Sequence, residues 1–532
     1  MVSTVVPLSC IRALRSSLVI VLAVAGCRGG APGTPSRHTL IDARDTYDPR
    51  SLDPALSTDV PTGRAVSYVF EGLTRFTADA RLQPALATRW DLSADGRTYT
   101  FHLRAGVTFQ NGRTLTARDV VHSFTRALDP ATHGGRAEPL LPIHGAAAFA
   151  DGNAASVAGL AAPNDSTVVI TLDQPLAIFP KLLAMPVASV LPADAPADVN
   201  EHPVGTGPWK LVRWKHDDYL LFARNDAYWG GAAKTDSLEA RIIAEPSTAV
   251  AEFEAGNVDV AEIPPDEVEA WESDSAKKRL LEDAPSLQLV YVAINTTRGP
   301  LRDPRVRQAM NYAVDAKTIL AQLVHGRGHL AAGVIPPSLG GADTTRAPYP
   351  YDPAGAKALL AAAGHANGID VELWTGTTPL MVRVAEAIQA YLDAVGIRTK
   401  IIQRDAASAR EAARKGDTDL FLKDWYADYP DAEDFLDPLL GSANTGVGGN
   451  VSFYRNPAFD RLMAQARREP DESKRNALYR QADSLAYADA PMIDLYFYDK
   501  LYAVQPWIEG FTLPVIFNGQ RWTDARIRAA TP

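Results

Sequence analysis

Cysteine is nearly absent: the 532 residues contain two, Cys10 and Cys27, both close to the amino terminus. The body of the chain therefore has no thiol pair for a disulfide or a zinc site, and a chain this long needs neither to hold a core. An excess of one charge is lacking too. The 63 acidic and 53 basic residues leave a net charge of -10 scattered along the chain, which argues against a nucleic-acid or anionic-membrane surface. Beyond the first segment no stretch is apolar enough to cross a bilayer, and no internal repeat is evident. The signatures of catalysis are missing as well: there is no nucleophile elbow, no HExxH and no phosphate-cradling loop ending in lysine. Gly205-Thr206-Gly207 is a partial glycine fingerprint. Pro208-Trp209 blocks the helix a dinucleotide needs, so the segment reads as a turn. His325 and His329 have metal-ligand spacing, but Gly326 and Gly328 beside them disfavour the helix that would align them.

What is present is a globular composition, 46% hydrophobic and 22% charged, enough for a sizeable core divided into more than one domain. The start stands apart. Arg12 and Arg15 precede an apolar run from Leu18 to Ala25 that ends in Val24-Ala25-Gly26-Cys27. Basic residues, a short apolar segment and small residues make an export signal over 1–26, too short to remain as a spanning helix. Small residues directly before a cysteine resemble the bacterial lipobox, so Cys27 is expected to become the lipid-bearing first residue. The Gly-, Pro- and Ala-rich stretch to 37 is a flexible tether. The mature protein should stand on the outer face of a membrane, anchored by lipid.

Alternation over Thr98–Leu103 predicts a half-buried strand, and Thr116 with Asp119 opens a helix that stops at Asp129-Pro130. A strand is expected over Thr167–Leu172, with residues 131–165 between as a long irregular connection. Further helices are opened by Ser247, by Asp303-Pro304 and by Asp315, with strands over Val258–Ala261 and Leu287–Asn295. From about 350 the pattern is regular. A helix runs from Asp352-Pro353 to Gly364, a strand over Asp370–Trp374, a helix from Pro379 to Gly396, a strand over Ile397–Gln403, a helix to Gly416 and a strand over Asp419–Lys423. This is a βαβαβ unit whose three strands should be parallel. Helices near 457–468 and 472–487 and a strand over Met492–Tyr498 follow. The fold class is α/β.

The stretch Lys423 to Phe435, KDWYADYPDAEDF, sets the Asp428 carboxylate among Trp425, Tyr426 and Tyr429, just past the last strand of that unit. Ligands collect beyond the carboxyl ends of strands in open α/β sheets, and a carboxylate walled by rings pairs with a cation better than one in water. An amine-bearing ligand would suit it. A plainer reading also stands, in which Asp428 shapes the turn before Tyr-Pro and the rings are core. The other acids nearby, Asp424, Asp431, Glu433, Asp434 and Asp437, do not match an EF-hand loop. Asp431 is expected to cap a helix, with Asp434 in its first turn. No nucleophile, base and orienting group assemble from these residues, so an envelope hydrolase is the weakest reading; a non-enzyme without cofactor or metal is expected.

Ordered blocks carry a resemblance over nearly all of 48–515. They include SLDPAL at 51–56, YVFEGLTRF at 68–76, LTARDVVHSFTRALDP at 115–130, VGTGPWKL at 204–211, NDAYWGG at 225–231, LRDPRVRQAMNYAVD, YDPAGAKALLAAAG and WYADYP. With them the chain resembles the extracytoplasmic solute-binding proteins of ABC importers, in particular the oligopeptide and dipeptide binders (family 5).

The resemblance implies a two-lobed periplasmic-binding-protein-like fold (type II, cluster C-like), hinged and closing over its ligand, with an accessory domain. Lobe I would gather 38–70, 201–290 and 493–532, the accessory domain 71–200, and lobe II 291–492. It implies that Asp428 holds a peptide's α-ammonium, and that main-chain groups at Asp424, Trp425, Tyr426 and at Thr58, Asp59, Val60 pair with the peptide backbone. Where some oligopeptide binders have an arginine for the ligand carboxylate, this chain has Leu422. Arg383 matches a basic residue of dipeptide-type relatives, and a solvated helix residue is the alternative for it; Arg327, in a glycine-flanked loop, is a second candidate. The resulting expectation is a lipid-anchored monomer that captures short peptides and delivers them to ABC permease subunits. Nickel chelates, haem or oligosaccharides are alternative ligands for the same fold.

Overall fold

The computed structural model describes residues 39–134, 137–195, 198–285, 287–446 and 449–528. The expected signal, Cys27 and the tether lie outside them. Two large sheets organise two lobes. The first has seven strands in the order Leu281–Ala284, Lys500–Val504, Val260–Glu262, Thr39–Asp45, Ser237–Ile242, Tyr219–Arg224 and Trp209–Lys215. The second has six: Gly328–Leu330, Met492–Tyr498, Gln288–Ile294, Leu420–Tyr426, Ile369–Thr375 and Ile397–Gln403. A four-stranded antiparallel sheet, Ala87–Leu92, Thr98–Leu103, Thr167–Thr171 and Leu160–Asn164, carries its own apolar cluster around Phe101, Phe124 and Ile170.

The chain passes between the large sheets from Ala284 to Gln288 and again from Tyr498 to Lys500. The two crossings lie side by side, because Ala284 pairs with Lys500 on one sheet and Leu289 with Phe497 on the other. Two adjacent connections are a natural hinge, since few dihedrals need to change for the lobes to turn. The boundaries expected at 290/291 and 492/493 fall inside two strands of the six-stranded sheet, Gln288–Ile294 and Met492–Tyr498. These boundaries come from the family resemblance, and the pairing of the two strands with each other puts both on one sheet.

The regular unit folds as its punctuation dictates. Ile369–Thr375 is parallel to both Ile397–Gln403 and Leu420–Tyr426, and the intervening helices Pro379–Ala394 and Ala406–Lys415 begin at Pro379 and at the Asp405 cap. Asp119 accepts from the Thr116 backbone N–H at 2.8 Å, closing the capping box of the helix Ala117–Leu128. Two expectations change. Residues 131–165 hold the short helix Ala146–Ala150 and the edge strand Leu160–Asn164, which forms because it has Thr167–Thr171 to pair with. The last strand of the unit runs on from Lys423 to Tyr426, since Gln288 and Leu289 supply antiparallel partners for Tyr426 and Trp425. The Gly205-Thr206-Gly207 turn lies against the end of the helix Val60–Val69. A Cβ on Gly205 would stand 1.9 Å from the Val69 carbonyl oxygen, so only glycine permits that approach.

In lobe II, Asp494 stands opposite Tyr291 in the strand register. Burial, joined by the charge of Asp483, pushes its carboxyl up to about 8, while Arg346 pulls the other way. The folded chain keeps a proton that the unfolded chain releases near 3.8. Stability contributed by that proton is therefore full at low pH and declines as pH rises from about 4 to about 8. Asp494→Asn should remove the decline, giving a higher denaturation midpoint than the parent above pH ~8 and little difference near pH ~4. Equal midpoints at the alkaline end would mean that the fold bears the ionised carboxylate without cost.

Candidate functional site

The strand Leu420–Tyr426 is buried over Leu420, Phe421 and Leu422 and emerges at its carboxyl end. Side chains alternate across a strand. Trp425 therefore shares the face of Lys423, whose ammonium lies 5.6 Å from the Trp425 ring and 5.8 Å from that of Tyr291; burial lowers that ammonium to about 8. Asp424 is exposed and accepts from the Gln288 side-chain amide at 2.7 Å.

Beyond the strand the chain is anchored residue by residue. Ala427 donates its N–H to the Leu287 carbonyl, and Asp428 donates its N–H to Asp434 Oδ2 at 2.8 Å. Tyr429 is buried in the apolar cluster of the four-stranded domain, with its hydroxyl on Glu433. Glu433 in turn accepts from Arg467 at 2.8 Å, and Arg467 pairs with Asp437. Asp431 accepts from Lys181 at 2.6 Å and from the Glu433 N–H at 3.0 Å. The helix Glu433–Leu440 carries Asp434 in its first turn, although Ala432 occupies the cap position and Asp431 lies one residue before it. These acids hold the turn in place. Among the described residues no group of three or more His, Cys, Asp or Glu is arranged to hold a metal ion.

A cavity of about 100 Å³ opens where the domains meet. Tyr426 and Asp428 line it from the six-stranded lobe; Thr58, Asp59 and Val60 line it from the other. Met185 and its neighbours from the four-stranded domain, with Phe517, complete the apolar wall. Asp428 is half-buried there. Asp59 caps the helix Val60–Val69 by accepting from the Thr62 N–H at 2.9 Å; its other oxygen is buried without a hydrogen bond, 3.5 Å from Arg50 Nε. The lining thus offers two carboxylates set in an apolar wall, an arrangement that attracts a cationic group and holds it away from competing water.

Five of the expected site residues, Asp428, Tyr426, Thr58, Asp59 and Val60, meet at this cavity. Trp425, Asp424 and Arg383 are not among its lining residues. Arg383 is exposed on the helix Pro379–Ala394. Arg327 bonds Asp283 and lies 4.0 Å from Glu272, so its charge already joins the two lobes near the hinge. Met185 and Phe517 escaped sequence reasoning, because single apolar residues far apart in the chain carry no pattern that marks a wall.

Residues 81–447, more than half of the chain, match the family model described as bacterial extracellular solute-binding proteins, family 5 (middle). The chain belongs to that family. Heme-binding protein A of Haemophilus influenzae is 32% identical over 486 residues, covering 87% of this chain and 88% of that one. Glutathione-binding protein GsiB of Escherichia coli O1:K1 / APEC is 30% identical over 497 residues, covering 91% and 93%. Among solved structures, the periplasmic binding protein DppA from Helicobacter pylori in complex with the peptide STSA superimposes with a TM-score of 0.79 at 28% identity, covering 92% of this chain and 98% of that one. As a family 5 protein the chain is a solute-binding component of an ABC importer that works on the extracytoplasmic side, and its relatives are binding proteins rather than enzymes. No helix among the described residues is long and apolar enough to cross a membrane.

Proposed function

We propose that the protein is a lipid-anchored receptor that captures short peptides in the cleft between its lobes and hands them to an ABC permease. The observation that carries this reading is the meeting of Asp428 and Tyr426 with Thr58, Asp59 and Val60 at one cavity. The half-buried carboxylate of Asp428 meets the α-ammonium, and the strand end at Tyr426 and the turn at Thr58 offer main-chain groups along which an extended peptide can lie. The names of the relatives support the ligand class: one solved relative is bound to a tetrapeptide, and glutathione is itself a small peptide. The lining residues include two carboxylates and no histidine or cysteine, which favours an ammonium group over a metal chelate. Cys27, as the lipidated first residue, keeps the receptor beside its permease, where it acts as a monomer.

Native mass spectrometry of the gently purified protein tests the reading. Retained masses that match peptides, released when the protein is denatured, are the expected result. Retention of haem, a metal chelate or a glycan instead would replace the peptide reading.

A further inference from the structure

A zwitterionic peptide held at Asp428 brings a carboxylate of its own, and the cavity lining supplies no cation to meet it. The positions named from the sequence do not meet it either: Leu422, standing where some relatives have an arginine, is core, Arg383 is exposed on an outer helix, and Arg327 sits at the crossings between the lobes, on Asp283 and near Glu272, away from the lining residues. The helix that begins at Val60 offers another. Arg64 follows Val60 by four residues and so lies on the same helix face, one turn on, and helical side chains lean back toward the amino terminus. Arg64 is not itself a lining residue; it stands one turn behind the residues that line the cavity. Gly63 beside it abuts Phe517, another lining residue; a Cβ on Gly63 would stand 2.4 Å from the Phe517 ring.

Arg64 is 7% exposed. Its Nη1 donates to Asp45, at the carboxyl end of the strand Thr39–Asp45, while its Nε is buried without an acceptor. A guanidinium presents a rigid fork of donors matched to a carboxylate, so a buried edge without an acceptor is unfavourable until one arrives. The surroundings keep the group charged: burial is the largest influence and works against it, as does Arg44, but Asp45, Asp42 and Tyr68 together raise it above its ordinary value. Nearby, Lys500 pairs with Glu262 at 2.8 Å, and the phenol of Tyr426, which lines the cavity, lies in the field of Lys500 and Arg64.

We propose that Arg64 holds the terminal carboxylate of the ligand, the acceptor being supplied as the lobes close, so that the cleft selects peptides with a free carboxyl end. This rests on the peptide reading and names the second pole of the same site.

The test offers the purified protein two random libraries of di- to tetrapeptides, one of free acids and one of carboxyl-terminal amides, and weighs what is retained by native mass spectrometry. The parent protein should prefer the free acids by about ten- to a hundredfold. The double variant Asp45→Asn/Arg64→Gln removes both members of the buried pair, so that neither charge is left uncompensated. In it the preference should fall to near unity. Arg64→Lys, which keeps a charge for Asp45 but loses the planar fork, should fall between, and is read alone if the double variant does not fold. Equal retention of acids and amides by the parent, or an unchanged preference in the variants, overturns the assignment while leaving the peptide reading intact. Retention of neither library overturns the peptide reading, and this assignment with it.

Discussion

Asp428→Asn is expected to weaken binding of a free-amine peptide by about ten- to a hundredfold, with the fold unchanged. A charge-assisted hydrogen bond to a desolvated ammonium contributes roughly 1.5–3 kcal/mol, and each 1.4 kcal/mol is about a factor of ten in affinity. Asparagine keeps the shape of the side chain and removes only its charge. The loop that carries it is held by contacts that do not involve its carboxylate: the backbone N–H of residue 428 on Asp434, Tyr429 on Glu433, and Lys181 on Asp431. Calorimetric titration of parent and variant with a peptide, and with the same peptide acetylated at its amino end, separates the charge from the shape. Acetylation should weaken the parent strongly and the variant little. An unchanged affinity for the free amine in the folded variant would remove Asp428 from the site.

The legible parts of the fold are those whose signals are local. Prolines and glycines mark the helix ends at Pro379, Gly396 and Gly416, and the strands between them follow by elimination. The carboxyl end of the strand Leu420–Tyr426 was not legible, because its last residues are strand only through partners at Gln288 and Leu289, more than a hundred residues earlier. The strands Gln288–Ile294 and Met492–Tyr498, inside which two of the expected boundaries fall, are similar: each reads locally as an ordinary strand, and only their mutual pairing assigns both to one sheet.

The candidate site divides in the same way. Asp428 and Tyr426 stand out in the sequence as a carboxylate amid rings, and Thr58 to Val60 enter through the family likeness. Arg64 gives no such signal. What marks it is a conjunction: an unpartnered Nε, which Arg327 and Arg475 share, a neighbour nineteen residues away at Asp45, and a place one turn behind a cavity assembled from four separated segments. Those are properties of packing, and a helical arginine with none of them has the same letter and the same spacing.

The block YVFEGLTRF owes its character to Glu71, and Glu71→Ala is expected to destabilise the lobe that contains it by about 3–5 kcal/mol. Glu71 is fully buried. Its Oε1 accepts from Tyr228 and from Arg521, each at 2.9 Å, and its Oε2 accepts from Trp229 at 2.6 Å and Thr206 at 3.1 Å. Segments near 71, 206, 228 and 521 are thus joined through one carboxylate, and burial with the charge of Glu71 raises the Tyr228 phenol above its ordinary value. Removing the carboxylate leaves the Arg521 guanidinium, 11% exposed, without its ion-pair partner and three neutral donors without acceptors. Glu71→Gln, which keeps the volume and one acceptor oxygen, should cost less than the alanine variant. Denaturant unfolding followed by tryptophan fluorescence reads the change directly, since Trp229 bonds the carboxylate and Trp209 bonds the Arg521 carbonyl. Peptide affinity of the folded fraction should be unaltered, because none of these groups lines the cavity. A loss below about 1 kcal/mol in the alanine variant would mean that water replaces the carboxylate at little cost and that the four segments are held by their apolar contacts alone.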